Sequence, residues 1–332
     1  MISFKEQLPD FAGRYHGGSF MTVKPPDFGG KPYRSLDYHL RNRYGEKIYK
    51  VSLDGGMTCP NRDGTLGKCG CIFCSEGGSG DFAGDRTHPI HQQIEEQKAR
   101  LSPKFPATHF IAYFQAYTNT YAPLSYLERI FTEAIEHEDI VGLSIGTRPD
   151  CLPDETLDLL SELNKKKPVT VELGLQTIHE RTAAFIRRGY KLFCFEDALE
   201  KLQERKLETV VHTILGLPGE NMENILETMR YLNAHHIDGI KLQLLHVLKH
   251  TDLADYYGQT GFHILSEDEY VDLVIRCLEV LSPDITIHRL TGDGPSDLLI
   301  APLWSLKKRS VLNHIHHELK VRDTWQGRLF TE

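Results

Sequence analysis

Six short runs rich in branched and aromatic residues recur along this 332-residue chain, separated by stretches of helical periodicity. They are KIYKVSLD (47–54), THFIAYF (108–114), IVGLSIG (140–146), VTVELGL (169–175), ETVVHTIL (208–215) and DGIKLQLL (238–245). Strand-like runs alternating with helices imply parallel β/α units. Six such units fit either a doubly wound sheet or an incomplete barrel. The unusual polar motifs fall just after strands, as expected when loops at the C-terminal strand ends build a site. The sequence has no GxGxxG or Walker A loop, which weighs against a nucleotide-binding doubly wound sheet.

Three intervening segments carry helix-start signals. Ser125 with Glu128 and Ser266 with Glu269 read as capping boxes, and Asn221 reads as a third N-cap. The apolar residues behind them repeat with the helical period: Leu127, Ile130, Phe131, Ala134 and Ile135 in the first, and Tyr270, Leu273, Val274, Cys277, Leu278 and Leu281 in the second. In the third they are Met222, Ile225, Leu226, Met229 and Leu232. Residues 1–34, rich in Gly, Pro and aromatics, read as an irregular N-terminal arm. Residues 35–290 read as the barrel and 291–332 as a C-terminal extension packing on it.

The formal charge of −8 argues against a grip on nucleic acid over the whole surface. Basic residues nevertheless gather at the ends: residues 1–50 hold nine Lys/Arg against five Asp/Glu, and residues 303–332 hold six against three. A local RNA footprint and solvated termini both fit that distribution. No run approaches the roughly 18–20 apolar residues of a membrane span, and the opening MISFKEQLPDF lacks the regions of a signal peptide. A cytoplasmic protein with no membrane partner is expected.

Four of the seven cysteines crowd into CPNRDGTLGKCGCIFC (59–74). In a reducing compartment such a crowd reads as a metal or redox site before it reads as disulfides. The scattered Cys151, Cys194 and Cys277 read as buried thiols. Two readings of the crowd compete, structural zinc held by four thiolates and an iron–sulfur site held by three. Zinc ribbons pair two CxxC knuckles, whereas here only Cys71 and Cys74 have that spacing and Cys69 lies too near Cys71. Three thiolates on a four-iron cluster leave one iron open, as a catalytic site requires.

With Phe73 directly before the last cysteine, this loop resembles the cluster loop of the radical S-adenosylmethionine (SAM) superfamily with a lengthened first gap. VSLDGG (51–56), CPNRDGT (59–65), GSGDFAG (78–84), FQAYTNTYAP (114–123), GTRPD (146–150), ELGLQT (172–177), IRRGY (186–190) and HTILGLPGE (212–220) extend the likeness. Over about residues 30–305 the chain is similar to the YhcC/YtqA-type radical SAM proteins, relatives of the elongator catalytic subunit.

The resemblance implies an α/β fold, a partial (β/α)6 TIM-like barrel with N- and C-terminal extensions. It implies a [4Fe–4S] cluster on Cys59, Cys71 and Cys74, SAM on the open iron, and Phe73 against adenine. Gln115 is expected at the SAM amino group, and Gln176 and Arg188 at its ribose and carboxylate, as in coproporphyrinogen-oxidising relatives. His212 stands where those relatives carry an aspartate. The turn from Gly216 to Glu220 is expected beside adenine. Glu172, between apolar Val171 and Leu173, is expected to face the barrel interior as a site residue. Cys69 replaces an expected glycine and reads as an extra loop thiol or a substitute ligand. Arg148 and Asp150 read as a pair behind the site or as substrate contacts.

The activity implied is radical modification of a tRNA base, at a wobble-uridine side chain, with electrons from a low-potential donor such as flavodoxin or ferredoxin. Tyr15, Phe20, Tyr33, Trp304 and Trp325 are candidates for stacking on an RNA base. The alternatives are a small-molecule substrate and a non-catalytic iron–sulfur or zinc protein. The acetyltransferase domain of the elongator subunit has no counterpart in the sequence, so acetyl-CoA chemistry is not expected. His314, His316 and His317 lack the spacing of a helix-borne zinc site and read as a solvated or RNA-facing face.

Overall fold

The computed structural model describes residues 26–78, 80–101, 108–292 and 294–331. Most of the N-terminal arm, with Tyr15 and Phe20, lies outside the described residues. Each of the six strand-like runs forms a strand: β1 (Tyr49–Leu53), β2 (Phe110–Phe114), β3 (Ile140–Thr147), β4 (Val169–Gln176), β5 (Glu208–Leu215) and β6 (Gly239–Leu244). All pair in parallel in sequence order. A two-residue strand β7 (Val247–Leu248) follows, and β8 (Thr286–Arg289) then joins the free edge of β6 in parallel. The sheet therefore has seven strands and curls into a half-barrel, one strand more than the sequence runs indicate. β8 has only four residues, two of them basic, too few for its alternation to be read.

Helices cover the outside. In chain order they are α1 (Leu36–Tyr44), α2 (Ile90–Leu101), α3 (Leu124–Glu136), α4 (Asp154–Lys166), α5 (Glu180–Phe185), α6 (Leu192–Glu204) and α7 (Met222–Ala234). α8 (Asp252–Thr260), α9 (Glu267–Val280) and α10 (Lys308–Val321) complete the set. The Ser266–Glu269 capping box forms, and Asn221 caps α7 reciprocally with Asn224. Ser125 does not cap. Pro123 occupies the N-cap of α3, and its carbonyl accepts from the amides of Tyr126 and Leu127, so the helix starts two residues earlier. The predicted α3 face is buried regardless, with Phe131 edge-on to Phe114 at 4.9 Å between centroids. None of the described helices is long and apolar enough to cross a membrane.

Alternation along the strands sorts the side chains into two environments. Val51, Leu53, Ala112, Phe114, Val171, Leu173, Val211, Leu242 and Leu244 face outward into the apolar layer beneath the helices. Their neighbours Ser52, Tyr113, Glu172, Gly174, His212, Lys241 and Gln243 face inward. The core is thus a shell between sheet and helices, and the barrel interior is polar.

The C-terminal extension packs on this barrel. β9 (Leu299–Ala301) pairs antiparallel with β7, and α10 lies against α9. Trp304 stacks at a tilt on Tyr270 and donates its Nε1–H to the Leu265 carbonyl at 3.0 Å, while Tyr33 is buried and bonded to His316 at 2.9 Å. Tyr33 thus belongs to the protein interior, and Trp304 is partly buried against the core. Trp325 is half-buried under Arg328. The three C-terminal histidines face different ways: His314 bonds Glu267 at 3.0 Å, His316 bonds Tyr33, and only His317 is exposed.

Below the barrel, Ser35 bridges to Ile287 and α1 packs against β8. Gln326, fully buried, locks this end. Its Nε2 donates to the carbonyls of Ser282 (2.7 Å) and Ile285 (2.8 Å), and its Oε1 accepts from the Arg34 amide (2.9 Å). Gln326→Leu leaves three backbone groups unpaired in an apolar setting, so a loss of about 2–4 kcal/mol is expected in urea unfolding. A loss below about 0.5 kcal/mol would mean that these bonds are dispensable.

Candidate active site

A cavity of about 440 Å³ opens at the C-terminal ends of the strands and runs down into the polar interior. The loop after β1 supplies Cys59, Cys71, Phe73 and Cys74 to its wall; Gln115 follows β2, and β4 contributes Glu172 and Gln176. Arg188 and His212 also line it, so nine of the sequence-derived residues and cysteines meet here. Gly216 and Glu220 do not. Gly216 makes its turn at φ 88° against Leu265, and the Glu220 carboxyl accepts from Thr177 Oγ1 at 2.5 Å, its pKa raised by burial. A larger cavity of about 1280 Å³ lies at the opposite strand ends and contains no cysteine.

The cysteine loop is fixed from three sides. Ile72 donates to the Ile186 carbonyl and accepts from the Leu253 amide, and its side chain enters a second apolar cluster with Ile186, Ile214 and Leu253. Asn61, buried, donates through Nδ2 to the carbonyls of Arg187 (2.8 Å) and Arg188 (3.2 Å), 3.5 Å from the Cys71 sulfur. Gly189 (φ 86°) allows this approach, since a Cβ there would lie 2.5 Å from Asn61 Oδ1. The Arg62 guanidinium bonds the carbonyls of Cys74 (2.9 Å) and Ser75 (2.6 Å). Cys69 is exposed and lines a separate groove behind the loop. Of the three scattered thiols, Cys151 and Cys277 are buried and Cys194 is only half-buried.

Burial pushes the Cys71 thiol up to about 12 and raises Cys74 as well. Such thiols ionise when a metal supplies the compensating charge. The sulfurs of Cys59, Cys71 and Cys74 do not all fall within 4.8 Å of one another, the span that ligands of one ion would share. All three residues line the same cavity.

At the end of β4 the register slips, with Gly174 opposite His212 but Gln176 opposite Thr213. This bulge puts Gln176 at φ 64°, a left-handed conformation uncommon for a residue with a Cβ. Arg188, 1% exposed, holds it: Nη1 donates to the carbonyls of Leu175 (3.2 Å) and Thr177 (2.7 Å) on either side, and Nε to that of Tyr190 (3.1 Å). Its Nη2 makes no hydrogen bond and lies 3.8 Å from Glu180. Arg148 forms a bidentate pair with Asp150 (2.9 and 2.7 Å) and donates Nη1 to the Arg188 carbonyl at 2.9 Å. Arg148 at the same time lines the cavity wall.

Lower in the barrel, Glu172 is fully buried. Oε1 accepts from Lys50 Nζ (2.6 Å) and Ser144 Oγ (2.6 Å); Oε2 accepts from His212 Nε2 (2.6 Å) and from Lys241 Nζ. Burial would raise the pKa of Glu172, but the charges of Lys241 and Lys50 outweigh it and hold the carboxyl well below its usual range. His212 is pushed down to about 4, first by burial and then by Lys241, so it is a neutral donor at pH 7. Burial brings Lys241 down to about 7. The Lys241 ammonium also donates to Tyr113 Oη at 3.2 Å. Lys50, Tyr113, Lys241 and Arg289 escaped the sequence reading, although the inward alternation that singles out Glu172 was present for Lys50 and Lys241 as well.

A parallel half-barrel whose loop after the first strand brings Cys59, Cys71 and Cys74 to a cavity at the C-terminal strand ends defines a radical SAM protein. The chain belongs to this superfamily: residues 59–232 match the family described as the Radical SAM superfamily, and residues 237–321 match the Radical_SAM C-terminal domain. It is 46% identical to YtqA of Bacillus subtilis (strain 168), over 90% of this chain and 93% of that protein. To YhcC of Escherichia coli (strain K12) it is 37% identical, over 80% and 85%. The fold matches the archaeal Methanocaldococcus infernus Elp3 with an N-terminal deletion at a TM-score of 0.65 and 16% identity, covering 84% of this chain and 64% of that one. The protein is an enzyme of the radical SAM class, with a [4Fe–4S] cluster and SAM as cofactors.

Two outcomes are expected from this geometry. Arg188→Met strands carbonyls that hold the bulge and costs about 2–4 kcal/mol in urea unfolding, whereas Gln176→Ala leaves stability within about 0.5 kcal/mol. Equal stability of both variants would contradict these roles. Glu172→Gln strands two ammoniums and costs about 3–5 kcal/mol at pH 7. Because folding depresses the Glu172 pKa, its contribution is fully present above the unfolded value of about 4.3 and is lost as pH falls through the folded value. The wild-type advantage over Glu172→Gln in pH-dependent unfolding therefore shrinks below about pH 4, and a gap that widens on acidification would refute the assignment.

Proposed function

We propose that Cys59, Cys71 and Cys74 ligate the [4Fe–4S] cluster and that the enzyme modifies a tRNA base, at a wobble-uridine side chain. The observation that carries the ligand assignment is the placement of these three sulfurs around one cavity, with Cys69 turned outward into another groove. When bound, the cluster and SAM would supply the electron and the hydrogen-atom abstraction that start the reaction. Asn61 and Arg62 fix the loop that presents the thiolates. Gln115 and Gln176 offer amides to SAM from the ends of β2 and β4, and Phe73 offers its ring to adenine. Arg188 and Tyr190 keep Gln176 in place, which makes Arg188 a positioning residue. His212, a neutral donor already engaged by Glu172, orders the wall below. A low-potential flavodoxin or ferredoxin in the cytoplasm supplies the electron.

The tRNA reading is supported by the likeness to Elp3 and by where the C-terminal basic run sits. Ser305, bonded to the cavity residue His246 at 3.2 Å, leads into Lys307, Lys308 and Arg309. RNA phosphates bound there would lie beside the cavity mouth. A small-molecule substrate is the second reading, favoured by the cationic floor of the cavity.

Anaerobic reconstitution with iron counting tests the ligands: Cys59→Ala, Cys71→Ala and Cys74→Ala each lose the cluster and Cys69→Ala keeps it, and the reverse pattern would overturn the assignment. Replacing Lys307, Lys308 and Arg309 together with alanine is expected to weaken tRNA binding across sequences and flatten its salt dependence. An unchanged salt slope favours the small-molecule reading. Nucleoside mass spectrometry of tRNA from cells with and without the gene decides the substrate class: a missing modified uridine supports the proposal, and identical profiles oppose it.

A further inference from the structure

Among the described residues, the cations at the floor of the cavity outnumber the carboxylates paired with them. Lys50 and Lys241 share one carboxylate, Glu172, and Arg289 stands beside them on β8. Among the described residues, Arg289 has no ion pair and no hydrogen bond. It is half-buried and lines the cavity with Tyr113, His212 and Lys241. The other cavity arginines are bonded within the protein: Arg62 to backbone carbonyls, Arg148 to Asp150, and Arg188 to backbone carbonyls with its Nη2 3.8 Å from Glu180.

The backbone places Arg289 there by a local device. Ile240 pairs with Ile287, but Lys241 pairs with Arg289, so His288 is an extra residue in β8. A bulge of this kind re-aims a side chain, and here it brings a guanidinium next to an ammonium inside the barrel. Like charges set side by side in a partly desolvated cavity repel each other unless an anion joins them. Burial is the main cause of the depressed pKa of Lys241, and the charges of Lys50 and Arg289 add to it. Arg289 lies on the last strand of the sheet, level with Lys241, whereas the cysteine loop rises from the first strand.

We propose that Arg289 and Lys241 form an oxyanion-binding floor that receives a carboxylate or phosphate group of the substrate. This rests on the reading of the cavity above as the SAM site. The substrate is then an anion whose charged end points down into the barrel, which leaves its neutral part nearer the strand ends where hydrogen abstraction occurs. Carboxylate and phosphate satisfy a guanidinium alike, because both present paired oxygens to its fork of N–H donors.

The test titrates reconstituted, SAM-loaded enzyme calorimetrically with acetate and, separately, with inorganic phosphate. The wild type is expected to bind one equivalent of at least one probe, and preference between the probes identifies the group. Arg289→Gln is expected to weaken that binding about tenfold or more, Arg289→Lys to recover part of it, and SAM affinity to stay unchanged in both. Three results would overturn the proposal: neither probe binds, Arg289→Gln binds the probe as the wild type does, or Arg289→Gln loses SAM affinity. Failure of the wild type to bind SAM would count against the SAM-site reading alone, and the anion titration repeated without SAM would still decide the role of Arg289.

Discussion

A carboxylate without water must be surrounded by donors, and Glu172 obtains them from every strand that can reach it. Lys50 comes from β1, Ser144 from β3, His212 from β5 and Lys241 from β6. Five strands are thereby tied through side chains at one point inside the sheet, in addition to their backbone ladder. In a closed eight-stranded barrel, branched apolar residues fill that space. In this seven-stranded half-barrel a charge network fills it and leaves a polar, open cavity above. The network is costly to break because each member, once alone, would be a buried charge without a partner.

The site above depends on that foundation and on a second set of bonds at the strand ends. Arg188 holds the carbonyls flanking Gln176, Arg148 and Asn61 hold the Arg188 carbonyl, and Asn61 lies against Cys71. The left-handed Gln176 and the cysteine loop are consequently parts of one hydrogen-bonded structure. Three of the Arg188 hydrogen bonds go to this task, and its Nη2, buried at the cavity, makes none.

The parallel strands, the outward apolar faces and the inward Glu172 were legible in the sequence because alternation and helical period have clear signatures in runs of five residues or more. The cysteine loop was legible because thiol spacing limits the ligand sets. β8 was not, since four residues with two basic side chains carry no readable period, and with it Arg289 was missed. The start of α3 was misplaced because Ser125 and Glu128 mimic a capping box where Pro123 already occupies the cap. Gly216 and Glu220 lie outside the cavity because the turn after β5 packs against Leu265 and Thr177. Sequence identifies such residues but not which way a loop folds, and the bulges at Gln176 and His288 are likewise set by tertiary pairing.

In the proposed site, three thiolates hold a cluster and leave one iron open to SAM within a single cavity. Electron paramagnetic resonance of the reduced, reconstituted enzyme, recorded with and without SAM, tests this most directly. The expected result is a [4Fe–4S] signal whose g-values shift when SAM is added, because the added ligand reaches the iron itself. A signal of the same cluster that SAM leaves unchanged at saturating concentration would contradict it.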